Sequence, residues 1–170
     1  MTHPMDRIRR HTLSVPVNIE AAIRDLGIAL KKNAALAPGI AGQIKRLQNG
    51  GYEIATTNAD HYFRQRFTMA HELGHYILHK SLIGDGVDDN IKYRSTVEGE
   101  FYNRSIDEYH ERQANSFAAS FLMPEAPLEG RVMSMDRPTL NEIAREFQVS
   151  PSAMRWRLKN LNLSAFVDGV

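Results

Sequence analysis

The sequence lacks cysteine altogether, and it also lacks any long apolar run. Without cysteine the chain cannot form disulfides, thiolate metal sites or a cysteine nucleophile, so histidines and carboxylates must hold any bound metal. No stretch approaches the roughly 18 apolar residues of a membrane span, and the first 17 residues contain no apolar signal segment. We therefore expect a cytoplasmic protein that makes no contact with membranes.

The chain also has no large excess of charge of either sign, because it contains 21 lysines and arginines and 20 aspartates and glutamates. The resulting net charge of +1 gives only weak electrostatic support for binding nucleic acid. Of the 170 residues 42% are hydrophobic, so the chain is long and apolar enough to bury the core of one domain without disulfides.

A first helix followed by short strands is predicted in the N-terminal third of the chain. The helix is expected near residues 18–26, with Asn18 as its N-cap and Gly27 at its end. Three partly alternating segments follow it, IALKKNA, GIAGQIKRLQ and YEIATTN, and Asn49-Gly50-Gly51 is a hairpin signal between the last two. They predict a small, mostly antiparallel sheet of about three strands.

The segment HYFRQRFTMAHELGHYILH returns to a helical period and carries the motif His-Glu-x-x-His. His71 and His75 stand one turn apart, so both imidazoles can reach one ion, and Glu72 projects beside the open coordination position. A third histidine, His79, lies a further turn along. Three histidines on one straight helix span roughly 12 Å, which is too far for a single ion. We interpret His79 as a structural residue or as a hydrogen-bond partner of a ligand.

The next long predicted helix offers the third ligand. Glu108 and Glu111 are both candidates, but only Glu111 has a hydrogen-bond acceptor, Asn115, one turn further on, whereas Glu108 has Arg112 there. Such an acceptor can bind the non-ligating nitrogen of a metal-bound histidine and thereby fix its tautomer. We therefore predict that Glu111 completes the ligand set.

Two histidines and one carboxylate leave a coordination position for water, which is the arrangement of a catalytic site. The metal would acidify the water and polarise a carbonyl, and Glu72 would carry the proton of the water to the leaving amine. The prediction is peptide-bond hydrolysis, with His71, His75 and Glu111 as metal ligands and Glu72 as the catalytic residue. Zinc suits this ligand set best, and manganese or iron are the alternatives.

Three blocks, RQRFTMAHELGHYILH, ERQANSFAASFLMP and IAREFQVSPSAMRWRLKNL, together resemble the ImmA/IrrE family of compact bacterial and phage metallopeptidases. The blocks occur in the order of the family, and the resemblance covers most of residues 15–163. It implies a zincin-like core and places the ligands and the catalytic glutamate on the residues assigned above. It also implies a protein substrate, a helix-turn-helix transcriptional repressor or an antitoxin encoded nearby. Where members of the family often have a second acid, this chain has Gln113.

Residues 138–163 predict two short helices joined by a tight turn, a pair that resembles a helix-turn-helix. A DNA-binding regulator is therefore a rival interpretation, with Arg155, Arg157 and Lys159 on the phosphates. In the alternative, apolar residues dock the pair on the catalytic core or form a substrate-binding surface. Those residues are Leu140, Ile143, Phe147, Met154, Trp156 and Leu158. A third interpretation keeps the metal site but acts by binding a partner, as an anti-repressor or as half of a toxin–antitoxin pair.

The expected fold class is α+β, with a small sheet beside a zincin-like core in residues 1–130 and the helical pair packed on it in residues 131–170. Residues 80–104, rich in glycine and aspartate with only IKY resembling a strand, should lie near the cleft, and residues 124–137 should form a linker. The oxyanion formed during hydrolysis needs a donor besides the metal. The candidates are Tyr102, Tyr109, His110, His79 and Arg157.

Overall fold

The computed structural model describes residues 3–90, 105–134 and 137–170. Within them it has an α+β architecture of seven α-helices and a four-stranded mixed sheet. The helices are α1 Pro4–Ile8, α2 Ile19–Asp25, α3 Tyr62–Leu78, α4 Glu108–Leu122, α5 Glu125–Met133, α6 Leu140–Phe147 and α7 Pro151–Asn160. The strands are β1 Ala29–Ala34, β2 Ile40–Arg46, β3 Tyr52–Thr57 and β4 Gly86–Asn90. No helix in these ranges is long and apolar enough to cross a membrane.

Helix α2 confirms the first predicted helix and both of its ends. The Asn18 side chain accepts a hydrogen bond from the backbone N–H of Ala21 at 3.0 Å, which satisfies one of the free donors of the first turn. Gly27 follows the helix with a φ of +74°, a conformation that residues with a side chain rarely adopt. Ile19 and Ile23 are buried on one face, so α2 packs its apolar stripe into the core.

The sheet contains the three predicted strands and one more. Its order is β1-β3-β2-β4, in which β1 and β3 are parallel and the other two pairings are antiparallel. The fourth strand was not predicted, because Gly86–Asn90 reads GVDDN, an acidic stretch without the alternation of a typical strand and with Val87 as its single β-branched residue. Its pairing with β2, in which Val87 lies opposite Ile44, makes it a strand. The predicted IKY strand, residues 91–93, lies outside the described residues.

One helix of the structure was not predicted, and one segment that was expected to be a linker is helical. Helix α1 begins at Pro4, where a missing N–H costs nothing, and the His3 ring caps it by accepting from the backbone N–H of Met5. The expected linker over residues 124–137 contains α5, and the linker prediction was therefore wrong for residues 125–133. Leu128 and Val132, one turn apart, are buried in the core, so packing rather than local sequence stabilises this helix.

The C-terminal pair confirms the two predicted helices and the tight turn between them. A capping box starts α6, in which the Thr139 N–H donates to Glu142 at 2.8 Å and the Glu142 N–H donates to the Thr139 hydroxyl. The helix ends at Phe147, and Gln148 after it has a left-handed φ of +53°. Ser150 then caps α7, and Pro151 occupies its first position. The likeness to a helix-turn-helix, like the zincin-like detail of the core, stays a prediction.

Burial shows how this pair is attached to the rest of the molecule. Five of the six apolar residues named above lie in the hydrophobic core: Leu140, Ile143, Phe147, Met154 and Leu158. Trp156 does not, because it lies on the opposite face of α7 and is 47% exposed, so it does not dock the pair on the core, and its place in a substrate-binding surface stays a prediction. Buried Arg66 of α3 donates to the carbonyls of Gln148 and Val17, and thereby joins the pair and the N-terminal segment to α3. The division of the chain at residue 130 stays a prediction.

Candidate metal centre

Three side chains from α3 and α4 converge on one point. The Nε2 atoms of His71 and His75 are 3.1 Å apart, and each lies 3.2 Å from an oxygen of the Glu111 carboxylate. Both imidazoles are buried, while the Glu111 side chain is 19% exposed. Two nitrogens and a carboxylate therefore face one another at a site that is buried around the imidazoles and reaches solvent at Glu111.

These separations match the size of a tetrahedral metal ion. Ligand atoms bound about 2.0 Å from one tetrahedral ion stand about 3.3 Å from each other. The two Nε2 atoms lie 3.1 Å apart and each lies 3.2 Å from a different oxygen of Glu111, so the three side chains could hold one metal ion. Imidazole nitrogen and carboxylate oxygen are ligands that zinc accepts, and three protein donors leave one of four positions for another ligand. The residues present thus fit a divalent ion of the zinc type.

The close approach of α3 and α4 brings Glu111 to the histidines. Gly74 sits between the two ligand histidines in the sequence, and a Cβ added there would lie 3.1 Å from the Phe117 ring and 3.2 Å from the Ala114 backbone. The two helices therefore touch where each has a small residue, since Ala114 is fully buried. A larger residue at either position would separate the helices and move Glu111 away from His71 and His75.

Each of the two candidate ligand histidines has a hydrogen-bond partner on its second ring nitrogen. The Nδ1 atom of His71 lies 2.9 Å from the Asn115 side-chain oxygen, and because an amide oxygen can only accept, the ring donates. The Nδ1 atom of His75 lies 3.1 Å from Nδ1 of His79. The contact that the spacing of Glu111 and Asn115 indicated is thus present at His71, and His79 occupies the equivalent place at His75.

Electrostatics favour the ionised carboxylate and the neutral imidazole that a metal needs. Burial raises the pKa of Glu111, but hydrogen bonds and charge interactions with His71 and His75 outweigh it and lower the pKa to about 2. Burial lowers the pKa of His75 below its ordinary value, and the hydrogen bond to Glu111 opposes this only in part. Glu111 is therefore an anion and His75 a neutral ring near pH 7.

Glu72 lies fully buried against the sheet side of α3. A Cβ added at Gly42 of β2 would stand 3.2 Å from Oε1 of Glu72, 3.3 Å from the Ala55 carbonyl oxygen, and would overlap with Cγ2 of Thr68. The missing side chain of Gly42 therefore leaves the space in which the carboxylate lies. We did not predict this role for Gly42, although a glycine inside a strand indicates the close approach of another group.

The other acidic candidate on α4 lies away from the site. The Glu108 side chain is 72% exposed and pairs with Arg112 at 3.4 Å, one turn along the same helix. His79 is the C-cap of α3, and its own ring nitrogens contact His75 and Gln113. The metal group consists of His71, His75 and Glu111 without these two residues.

The candidate oxyanion donors that lie within the described residues form hydrogen bonds with other groups of the protein. The Tyr109 hydroxyl accepts a hydrogen bond from Gln113, and the Nδ1 atom of His110 accepts from the backbone N–H of Asp107. Arg157 donates to the carbonyl oxygen of Met123 at 3.0 Å. His79 lies between two partners, as described above, and Tyr102 falls outside the described residues. The identity of an oxyanion donor stays a prediction.

Two of the three cations proposed for DNA binding contact the protein itself. Arg157 holds α7 to the end of α4, and Arg155 donates to the carbonyl oxygen of Gly169 at 3.2 Å. Burial lowers the pKa of Arg157, as expected for a guanidinium that is half withdrawn from water. These contacts favour the docking interpretation of α7 over phosphate binding.

Comparison with known proteins adds an independent observation. The family model of the IrrE N-terminal-like domain, a peptidase family, matches residues 27–159. A curated relative, the radiation response metalloprotease IrrE of Deinococcus radiodurans, is 28% identical over 178 aligned positions. The alignment covers 92% of this chain but 51% of the relative, so the chain spans about half the length of that protein. The match includes α3 and α4 and hence all the candidate site residues.

Proposed function

We propose a function from one premise: the chain belongs to the peptidase family of the IrrE N-terminal-like domain. It acts as a metal-dependent endopeptidase, with His71, His75 and Glu111 holding a zinc ion and Glu72 as the catalytic residue. The observation that carries this proposal is the spacing of 3.1 to 3.2 Å between two buried imidazoles and one carboxylate. The relative from Deinococcus radiodurans is itself named a metalloprotease, which supports the same class of reaction.

The division of labour follows from the position of each side chain. When bound, the ion supplies Lewis acidity that polarises the scissile carbonyl and acidifies a water. Glu72 accepts the proton of that water on its carboxylate and passes it to the amine that leaves. Burial of Glu72 excludes bulk water around the carboxylate and so strengthens its interaction with the proton it carries. His71 and His75 keep their Nε2 lone pairs toward the ion because each ring is hydrogen-bonded through Nδ1.

The substrate class is proposed from the resemblance to the ImmA/IrrE family. We propose that the substrate is a helix-turn-helix transcriptional repressor or an antitoxin encoded nearby, and that cleavage relieves repression in the cytoplasm. The α6–α7 pair then serves as a docked part of the catalytic unit, since Phe147 and Leu158 are fully buried in its core.

Substitution of the catalytic glutamate tests the proposal most directly. We expect Glu72→Gln to retain zinc and to lose cleavage by about 10²- to 10⁴-fold, the usual contribution of a general base. Glu108→Gln is the matched control, because Glu108 is an exposed glutamate outside the site and should leave the rate unchanged. The zinc-loaded protein is incubated with the purified helix-turn-helix repressor that is encoded nearby, and cleavage is followed by mass spectrometry.

Two results would contradict the proposal. Full cleavage by Glu72→Gln would exclude this residue as the proton carrier. Derepression in cells that survives Glu72→Gln would show that the protein acts by binding its partner rather than by proteolysis. Metal analysis of protein purified without added metal identifies the ion, and we expect zinc in place of manganese or iron.

A further inference from the structure

A chain of hydrogen bonds runs outward from His75 and ends near the surface. Its Nδ1 atom lies 3.1 Å from Nδ1 of His79, and Nε2 of His79 lies 2.9 Å from the side-chain oxygen of Gln113. The amide nitrogen of Gln113 donates to the Tyr109 hydroxyl at 3.1 Å, and Tyr109 is 58% exposed. His71 differs, because a single amide, that of Asn115, contacts its outer nitrogen.

The Gln113 oxygen determines the direction of this chain. An amide oxygen only accepts, so Nε2 of His79 must carry a proton and donate it. In the tautomer with its proton on Nε2, the His79 ring has its lone pair on Nδ1, and that atom accepts from Nδ1–H of His75. With its proton on Nδ1, His75 presents an unprotonated Nε2 to the metal position, which is the tautomer that a ligand needs.

We infer that His79 and Gln113 are positioning residues that fix the tautomer of His75 and so raise its affinity for the metal. This inference rests on the proposed function, in which His75 is a ligand. Both residues are held in place, since His79 is 4% exposed and Gln113 has a partner on each side of its amide. His79 and Gln113 together therefore fix the tautomer of His75, as Asn115 alone fixes that of His71.

The reverse arrangement would have the opposite effect. With the Gln113 nitrogen toward His79, each proton in the chain would shift to the other side, and His75 would carry its proton on Nε2, where it blocks a metal ion. A glutamine permits both orientations, whereas a carboxylate at position 113 could only accept. A carboxylate would also form a charge-assisted and hence stronger hydrogen bond with His79.

This difference gives a test based on zinc affinity, measured by competition with a chromophoric chelator. We expect Gln113→Leu to weaken zinc binding by about 10- to 100-fold, the usual effect of losing such a partner. Gln113→Glu keeps the acceptor and should bind zinc at least as tightly as the natural protein. Glu108→Leu, the same type of substitution on an exposed turn of α4, should leave the affinity unchanged.

A spectroscopic measurement tests the proton positions independently of any variant. In zinc-loaded protein with ¹⁵N-labelled histidine, we expect the ring nitrogens of His79 to show the Nε2–H tautomer. Equal zinc affinity of Gln113→Leu and the natural protein would overturn the inference, and so would an Nδ1–H tautomer of His79. Failure of the natural protein to bind zinc would instead overturn the proposed function itself, so the two failures are distinguishable.

Discussion

Helix α3 is buried on nearly every side between Gln65 and His75, whereas α4 has one buried face and one that meets solvent. Both helices supply the candidate metal centre. The two histidines and Glu72 come from α3, where one helical turn sets their spacing. From α4 come Glu111, Asn115 and Gln113, and their positions relative to the histidines depend on how the helices pack.

The two halves of the site are therefore specified at different levels. The geometry of α3 is local and would exist in any helix with the same five residues. The contribution of α4 exists only when Gly74 and Ala114 allow the helices to touch. Substitutions on the two sides of α3 should therefore separate loss of metal from loss of proton transfer.

The largest effect is expected at the ligand that α4 supplies. Glu111→Ala should weaken zinc binding by more than about 100-fold, because even outer hydrogen-bond partners of ligands contribute 10- to 100-fold. Peptidase activity should disappear at zinc concentrations that saturate the natural protein. Glu108→Ala is the matched control and should change neither property, because Glu108 is exposed and its pair with Arg112 is of the weak surface type. Competition with a chelator measures the zinc affinity of both variants. Loss of zinc binding in Glu108→Ala but not in Glu111→Ala would show that Glu108 is the ligand.

The contact between the helices should give the next largest effect. Gly74→Val inserts a side chain where a single Cβ already meets the Ala114 backbone at 3.2 Å, so the helices must separate. We expect the free energy of unfolding to fall by about 3 kcal/mol, the upper end for overpacking, and zinc affinity to fall with it. Denaturant unfolding of the metal-free protein measures the first quantity.

Gly130→Val provides the control for this substitution. Gly130 also lies within a helix, α5, but a Cβ added there meets nothing within 4 Å. The change should be neutral or slightly stabilising, because valine has a better helix propensity than glycine. Equal destabilisation by both substitutions would show that the α3–α4 contact has no special role.

The same contrast explains which features of the fold and of the candidate site the sequence predicts. Local chemistry within one or two turns was enough to predict where the candidate ligand histidines, Glu72 and the caps at Asn18 and Ser150 lie on the helices. The prediction of Glu111 as a ligand depends on Asn115, which lies one turn from it and contacts His71, and this is again a local signal.

The features that were missed depend on contacts distant in the sequence. Strand β4 forms by pairing with β2, about 40 residues earlier, and α5 is stabilised by burial of Leu128 and Val132. Gln113 was noted only as a departure from the family, since its partner His79 lies 34 positions away. The space left by Gly42 beside Glu72 likewise requires the sheet and α3 to be in place.

The smallest effect is expected on the sheet side of α3, at Gly42. Gly42→Ala places a methyl group against Thr68 and 3.2 Å from Oε1 of Glu72, so the carboxylate must move while the ligands on the α4 side stay in place. We expect the cleavage rate to fall about tenfold, equivalent to about 1.4 kcal/mol, with zinc affinity unchanged. Stability should fall by about 1 kcal/mol, the lower end for overpacking.

A second substitution tells a displaced Glu72 from general damage to the sheet. Serine lacks the Cγ2 atom of Thr68 with which the new methyl group overlaps, so Thr68→Ser should make room for it. In the double variant Gly42→Ala/Thr68→Ser, we expect the cleavage rate and the stability to recover most of their loss. A fall in zinc affinity together with the cleavage rate in Gly42→Ala would contradict the independence of the two sides of α3. The methyl group would then affect the ligands as well as Glu72.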